Sequence, residues 1–270
     1  MQPRPKREYL RELVEEKNRW SRPLTDEEKA LGFLGWHERG YLPHCDFPGL
    51  IQLVTFRLID SLPASRRGEW EHLLKIENVV EKRTKLEEYL DRGHGACQLR
   101  DARIAQLVEA ALLHFHEDRY EMLAWCVMPN HVHLLVHVWQ TPLAKLVRSW
   151  KQFVQTEANL AAQERRPPPR SNQTERRPPA RHTGDEHQPP ARHEGLSAPP
   201  GSVRRPSFRW QREYWDTYMR DEQQERTAIR YIENNPLKAR LCPAAGQWHF
   251  SSARFRNEYR RLILPKRDGP

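Results

Sequence analysis

The chain has few cysteines, and none of them is arranged for chemistry. Cys45, Cys97, Cys126 and Cys242 form no C-x-x-C pair and share no regular spacing. That pattern argues against a disulfide framework or a zinc ribbon and fits a reducing cytoplasm. Long apolar runs are missing as well: no window approaches 18 uninterrupted apolar residues, and the opening MQPRPKREYL carries charge with no apolar stretch behind it. The expectation is a soluble, unexported cytoplasmic protein with no membrane partner. Glycine is scarce, 12 residues against 22 prolines. Acidic residues are in deficit too, 36 Asp and Glu against 45 Lys and Arg, and the formal charge of +9 favours a polyanionic partner such as nucleic acid.

What is present is long enough for a real core. Residues 1–47 form a charged stretch with helical signals, including LTDEEKALGF, where Thr25 and Glu28 have the spacing of a capping box. The text then changes. LIQLVTFRLI, beginning at Leu50, is rich in β-branched and aromatic residues and lies between turn signals, as a buried strand does. Helical periodicity follows in WEHLLKIENVVEKRTKLEEYL and LRDARIAQLVEAALLHFH, and then RYEMLAWCVMPNHVHLLVHV reads as two strands about a Met128-Pro129-Asn130 turn. A helix is expected over about 142–163, from the stripe Leu143, Leu146, Val147, Trp150 and Val154.

From 164 to 206 the composition collapses. An imperfect eleven-residue repeat, with Glu164 recurring as Glu175 and PPARH at Pro178 recurring at Pro189, holds almost no large apolar residue and carries nine arginines against five acids. It is expected to be a disordered Pro/Arg-rich insert, since such text cannot bury a core. Order resumes with EYWDTYMR, a fourth strand, and DEQQERTAIRYIEN, a helix with an acidic first turn that Asn234-Asn235-Pro236 is expected to end. Residues 241–270 are basic and aromatic without clear periodicity.

One stretch carries candidate chemistry. In MPNHVHLLVHV the histidines His131, His133 and His137 alternate in parity with Val132, Leu134, Val136 and Val138. On a strand, His131 and His133 share a face with Cα atoms about 6.6 Å apart, close enough to converge on one ion, whereas His137 lies about 13 Å beyond His133. His137 is therefore a structural residue or at most a phosphate contact. The pair alone is open to a plainer account, a polar strand face that uses histidine. Tyr231 and Asn235, four apart, stack on one helix face and could supply a phenol and an amide oxygen. Each also has an ordinary use, as a packing aromatic and as part of a helix stop.

Taken together, WCVMPNHVHLLV and the downstream YIENNPLKARL resemble the single-tyrosine HUH transposases, in particular the REP-associated tyrosine transposases of bacteria. The resemblance extends through GYLPHCDFPGLIQLVTFRLIDSLP, HGACQLRDARIAQLVEAALLHF and WQREYWDTYMRDE, so it covers most of 36–241 outside the insert. It implies an α+β fold, a ferredoxin-like antiparallel sheet with helices on one face and the HUH pair on a central strand. The domain would comprise 48–163 and 207–240, flanked by the extension 1–47 and the tail 241–270. Carried over residue by residue, His131, His133 and Asn235 would be ligands to Mg²⁺ or Mn²⁺, and Tyr231 would be the nucleophile. The order of elements read from the residues, strand, helix, strand, strand, helix, strand, helix, agrees with this fold.

The implied reaction is cleavage and strand transfer of single-stranded DNA through a 5′-phosphotyrosine, on hairpin-forming repeats. The rival tyrosines Tyr214 and Tyr218 are expected to pack. DNA contacts would come from Arg204, Arg205, Arg209, Trp210 and Arg212, with Arg254, Arg256, Arg260 and Arg261 in the tail. The insert separates the histidine half from the tyrosine half, which leaves open a monomer with its own site or a homodimer sharing it. A DNA-binding protein that recognises hairpins without moving them, and a metal-dependent nuclease using water, are the other readings.

Overall fold

The first element described in full is a single helical turn and a half held by its cap. A computed structural model of the chain describes residues 20–39, 42–77, 79–164 and 207–265. In helix α1, Asp26–Leu31, Thr25 Oγ1 accepts from the Glu28 N–H (3.2 Å) and Glu28 returns a bond to the Thr25 N–H (2.8 Å), as the spacing predicts. Gly32, at φ +93°, ends it in the left-handed region. Residues 35–46 of the N-terminal extension depart from the helical expectation. Strands β1, Gly35–Arg39, and β2, Leu42–Asp46, pair as a two-stranded sheet, and Trp20, Phe33, Cys45 and Phe47 are buried. This stretch is part of the body: its apolar residues are too widely spaced among charges to show as a strand pattern, yet they reach the core.

The central sheet contains β3 (Ile51–Arg57), β4 (Tyr120–Val127), β5 (His131–Val138) and β6 (Trp215–Tyr218), in the order β4-β5-β3-β6 with every neighbour antiparallel. Between β3 and β4 run α2 (Arg67–Leu74), α3 (Val79–Asp91) and α4 (Ala102–Leu113), and between β5 and β6 runs α5 (Leu143–Glu164). Helix α6 (Glu222–Lys238) follows β6. Two split crossovers with the first and third strands central are the ferredoxin-like arrangement.

The crossover helices α4 and α5 cover one face, as expected. Their buried stripes, Ala105, Val108, Ala111 and Leu112 on α4 and Leu146, Val147, Trp150 and Val154 on α5, meet Val54, Phe56, Val132, Leu134, Val136 and Val138. A bulge at Leu123 keeps β4 in step: Met122 opposes Val136 and Ala124 opposes Leu135, so Trp125 and Val127 turn back into the core. The other face is covered too, which corrects the expectation of helices on one face only. Ala228 and Ile232 of α6 pack there on Leu53, Ala124, Cys126, Met128 and Leu135. Beside them Trp70 of α2 and Leu86 and Tyr89 of α3 form a small cluster with Trp215. The reason is that β3 and β5 carry apolar residues such as Leu53 and Leu135 on this face also.

Two further differences matter. The long periodic stretch before residue 91 is two helices, α2 and α3. And α6 runs through Pro236 to Lys238, where a stop at Asn234-Asn235-Pro236 was expected. Proline removes one backbone donor, but so close to the helix end only one more turn is affected, and the N–H groups of Ala239 and Leu241 still bond back to Asn235 and Pro236 carbonyls (2.9 Å each). The 241–265 segment wraps the edge strand β4, with Phe250 O accepting from Val127 N (2.9 Å) and Trp248 Nε1 donating to Val127 O (2.9 Å). The insert from 165 to 206 lies outside the described residues. Its two flanks are joined by Asn159, whose side chain bonds both the N–H and the carbonyl of Phe208 at 3.0 Å. No helix among the described residues is long and apolar enough to cross a membrane.

Candidate active site

The turn that opens β5 is tied down before the histidines begin. Asn130 is fully buried; its carbonyl accepts from Leu58 N (2.8 Å) and its Nδ2 donates to His94 O (3.0 Å). That leaves Oδ1 for His131 Nδ1, 2.7 Å away. Two residues on, His133 Nδ1 meets the Thr55 hydroxyl at 2.8 Å, Thr55 being its register partner on β3. Each ring is thus held by Nδ1, and both Nε2 atoms point at one another, 3.0 Å apart.

Two imidazole nitrogens this close need something positive between them, a proton donated by one ring or a metal ion. Burial, helped by the Arg57 charge, lowers the His131 pKa to about 3, which keeps that ring neutral, the form that binds metal. Thr55, donor or acceptor as needed, serves either tautomer of His133. Bonds of about 2.1 Å at a right angle give a nitrogen separation of about 3.0 Å, so the pair fits neighbouring corners of an octahedron.

Oxygen donors come from both helices on this face. Asp91, the last residue of α3, has Oδ1 3.7 Å from His131 Nε2, and single ligand atoms of Asp91, His131 and His133 all lie within 4.8 Å of one another. Asn235 is fully buried on α6. In the amide orientation that satisfies its neighbours, Oδ1 lies 3.1 Å from His133 Nε2 and 3.2 Å from the Tyr231 hydroxyl, while Nδ2 donates to both Asp91 oxygens (3.0 and 3.3 Å). Two imidazole nitrogens, a carboxylate and an amide oxygen suit a hard divalent ion better than a structural zinc.

Tyr231 completes the cluster, its hydroxyl 3.4 Å from His133 Nε2 of the same chain. The helix register explains it: Ala228 and Ile232 anchor α6 to the sheet, and Tyr231 and Asn235, four residues apart, share the neighbouring face that meets the histidines. Burial first, then the carboxylates of Glu87 and Asp91, push the phenol well above its ordinary pKa, so it is held protonated. Asp91 itself is pushed up to about 7, by burial first and then by Glu87, with Lys238 opposing.

Sequence reasoning missed Asp91. One signal was there: a carboxylate in the last turn of a helix opposes the macrodipole, and an acid kept at such a position invites a reason. His137 stays apart, paired with Glu121 at 3.7 Å. Tyr214 is buried against the His44 ring (5.1 Å), and Tyr218 lies edge-on to Trp36 (6.0 Å), so both pack away from the histidine pair.

The expected DNA contacts divide. Arg204 and Arg205 lie outside the described residues. Arg209 and Arg212 are exposed, the latter 3.7 Å from Glu213. Trp210 needs correction: it is buried between Phe56 (5.0 Å) and Phe208 (5.1 Å), with its backbone N–H donating to Gln155 Oε1, and offers no stacking surface. Arg254 and Arg256 are structural, held by Glu109 (2.6 Å) and Glu233 (2.7 Å), whereas Arg260 and Arg261 are exposed.

No family model and no curated protein matches the chain. One solved structure is similar. It is that of a REP-associated tyrosine transposase bound to a REP hairpin, 15% identical, covering 80% of this chain and 82% of the other, with a TM-score of 0.42. The α+β assignment stands on the strand order and crossovers themselves.

Proposed function

We propose that the protein cleaves single-stranded DNA and transfers strands by transesterification through Tyr231. The observation that carries this reading is the Tyr231 hydroxyl 3.4 Å from His133 Nε2, inside a cluster of converging ligand atoms and within one chain. His131, His133, Asp91 and Asn235 would hold Mg²⁺ or Mn²⁺. Such an ion, when bound, polarises a phosphate and offsets the charge that builds up as the phosphate is attacked. The Tyr231 oxygen forms a bond to phosphorus as the P–O3′ bond breaks; the phenol loses its proton and the departing O3′ gains one. The products are a DNA 3′-OH and a 5′-phosphotyrosine, which conserves the ester energy for a second strand's 3′-OH to reclaim. Asn235 accepts the phenol's hydrogen bond and fixes the direction of attack. The preference for hairpin-forming DNA rests on the motif resemblance.

The test uses the full chain with a 3′-end-labelled hairpin oligonucleotide carrying an unpaired flank, in MgCl₂ or MnCl₂. A denaturation-resistant protein–DNA adduct is expected, lost in Tyr231→Phe. Cleavage without an adduct, persisting in Tyr231→Phe, would replace this reading with a water-using nuclease. Binding without cleavage would leave a hairpin-recognition protein.

A further inference from the structure

Tyr231 sits among acids. Glu87 and Asp91, one turn apart on α3, both act on its phenol. Those two carboxylates would offset both charges of a bound divalent ion, so a phosphodiester entering the site needs a further cation. Two are close. Arg57 is 5% exposed, donates to Ser61 Oγ (3.1 Å) and lies 4.9 Å from the Trp70 ring, so its head group is committed to the protein. Lys238 is exposed, and its Nζ lies 5.3 Å from the centre of the Tyr231 ring.

The passage of α6 through Pro236 is what puts Lys238 there. Were the helix to stop at Asn235, Lys238 would leave on a loop. Because it continues, Tyr231, Asn235 and Lys238, at i, i+4 and i+7, share one face. A lysine in a last helical turn already answers the macrodipole. That role does not require its ammonium to lie over the nucleophile's ring, as it does here.

We infer that Lys238 contacts the scissile phosphate, drawing the DNA strand onto Tyr231 from the open side of the site. This deepens the cleavage reading above and rests on it. The experiment compares wild type, Lys238→Met and Lys238→Arg in binding the hairpin oligonucleotide with EDTA present, across a salt series. Lys238→Met should lower the slope of log affinity against log salt by about 0.7, the signature of one lost single-strand phosphate contact. Adduct formation in MnCl₂ should lose about ten- to a hundredfold in kcat/KM. Lys238→Arg should keep the slope, and Mn²⁺ affinity by calorimetry should be the same in all three. An unchanged slope in Lys238→Met overturns the inference, as does an arginine variant that behaves like methionine or a fall in Mn²⁺ affinity. Absence of an adduct in wild type would sink the cleavage reading instead, while the EDTA slope would still decide whether Lys238 meets DNA.

Discussion

Around His131 and His133 the two faces of β5 are equally dry and do opposite things. Val132, Leu134, Val136 and Val138 on one side and His131 and His133 on the other are all fully buried. The apolar set is stabilised simply by leaving water and touching α4 and α5. The imidazoles gain little that way, and burial is tolerable only because Asn130 and Thr55 satisfy Nδ1 in each. One strand thus fixes register with its first face and holds reactive nitrogens with its second, since a slip of one residue would exchange the two.

If that division of labour is right, the largest effect on chemistry comes from a change that leaves the fold alone. Tyr231→Phe removes one hydroxyl from a partly exposed ring, so the urea unfolding midpoint should hardly move. Adduct formation should fall by on the order of a thousandfold or more, measured with the labelled hairpin.

The converse comes next. Leu134→Ala, on the apolar face opposite Val54 and Trp125, should cost about 2–5 kcal/mol in unfolding free energy through the cavity it leaves. Mn²⁺ affinity of the protein that remains folded should match wild type. A variant that kept its stability and lost metal would show that the faces are not separable.

Asp91→Asn tests whether α3 belongs to the chemical face at all. As a ligand, Asp91 should take Mn²⁺ affinity with it, on the order of a hundredfold by calorimetry. As mere cover, its loss should raise stability slightly, because a half-buried carboxylate flanked by Glu87 is unfavourable where it stands.

The apolar face was also the legible one. Period-two alternation, the proline turn and the stripes of α4 and α5 point to one arrangement, and the chain adopts it. The histidine pair and Tyr231 could be found because each sits in a local motif. Asp91 offered only the faint signal of an acid in a last helical turn, since it ends an ordinary-looking EEYLD helix and joins the site through the packing of Trp70, Tyr89 and Trp215. Trp210 misled for the opposite reason: aromatic among arginines in FRWQR, it reads as a nucleic-acid contact, yet its ring fills the core beside Phe56. Pro236 misled because a proline one turn from a helix end costs too little to stop it. Local signals failed where tertiary contact decides.

The smallest expected effect is the most pointed. Thr55→Val keeps a strong strand former at the centre of the sheet, but it removes the hydroxyl that holds His133 Nδ1 at 2.8 Å. The ring then loses the bond that fixes its orientation, and Mn²⁺ affinity should fall about tenfold, the low end of what second-layer partners of metal ligands contribute. Stability should drop by about 1 kcal/mol or more, because a buried ring nitrogen is left without a partner. Unchanged affinity would mean that packing against Tyr231 and His131 alone orients His133. The chemical face would then be held by shape, as the apolar face is, and the difference between them would reduce to the two nitrogens pointing inward.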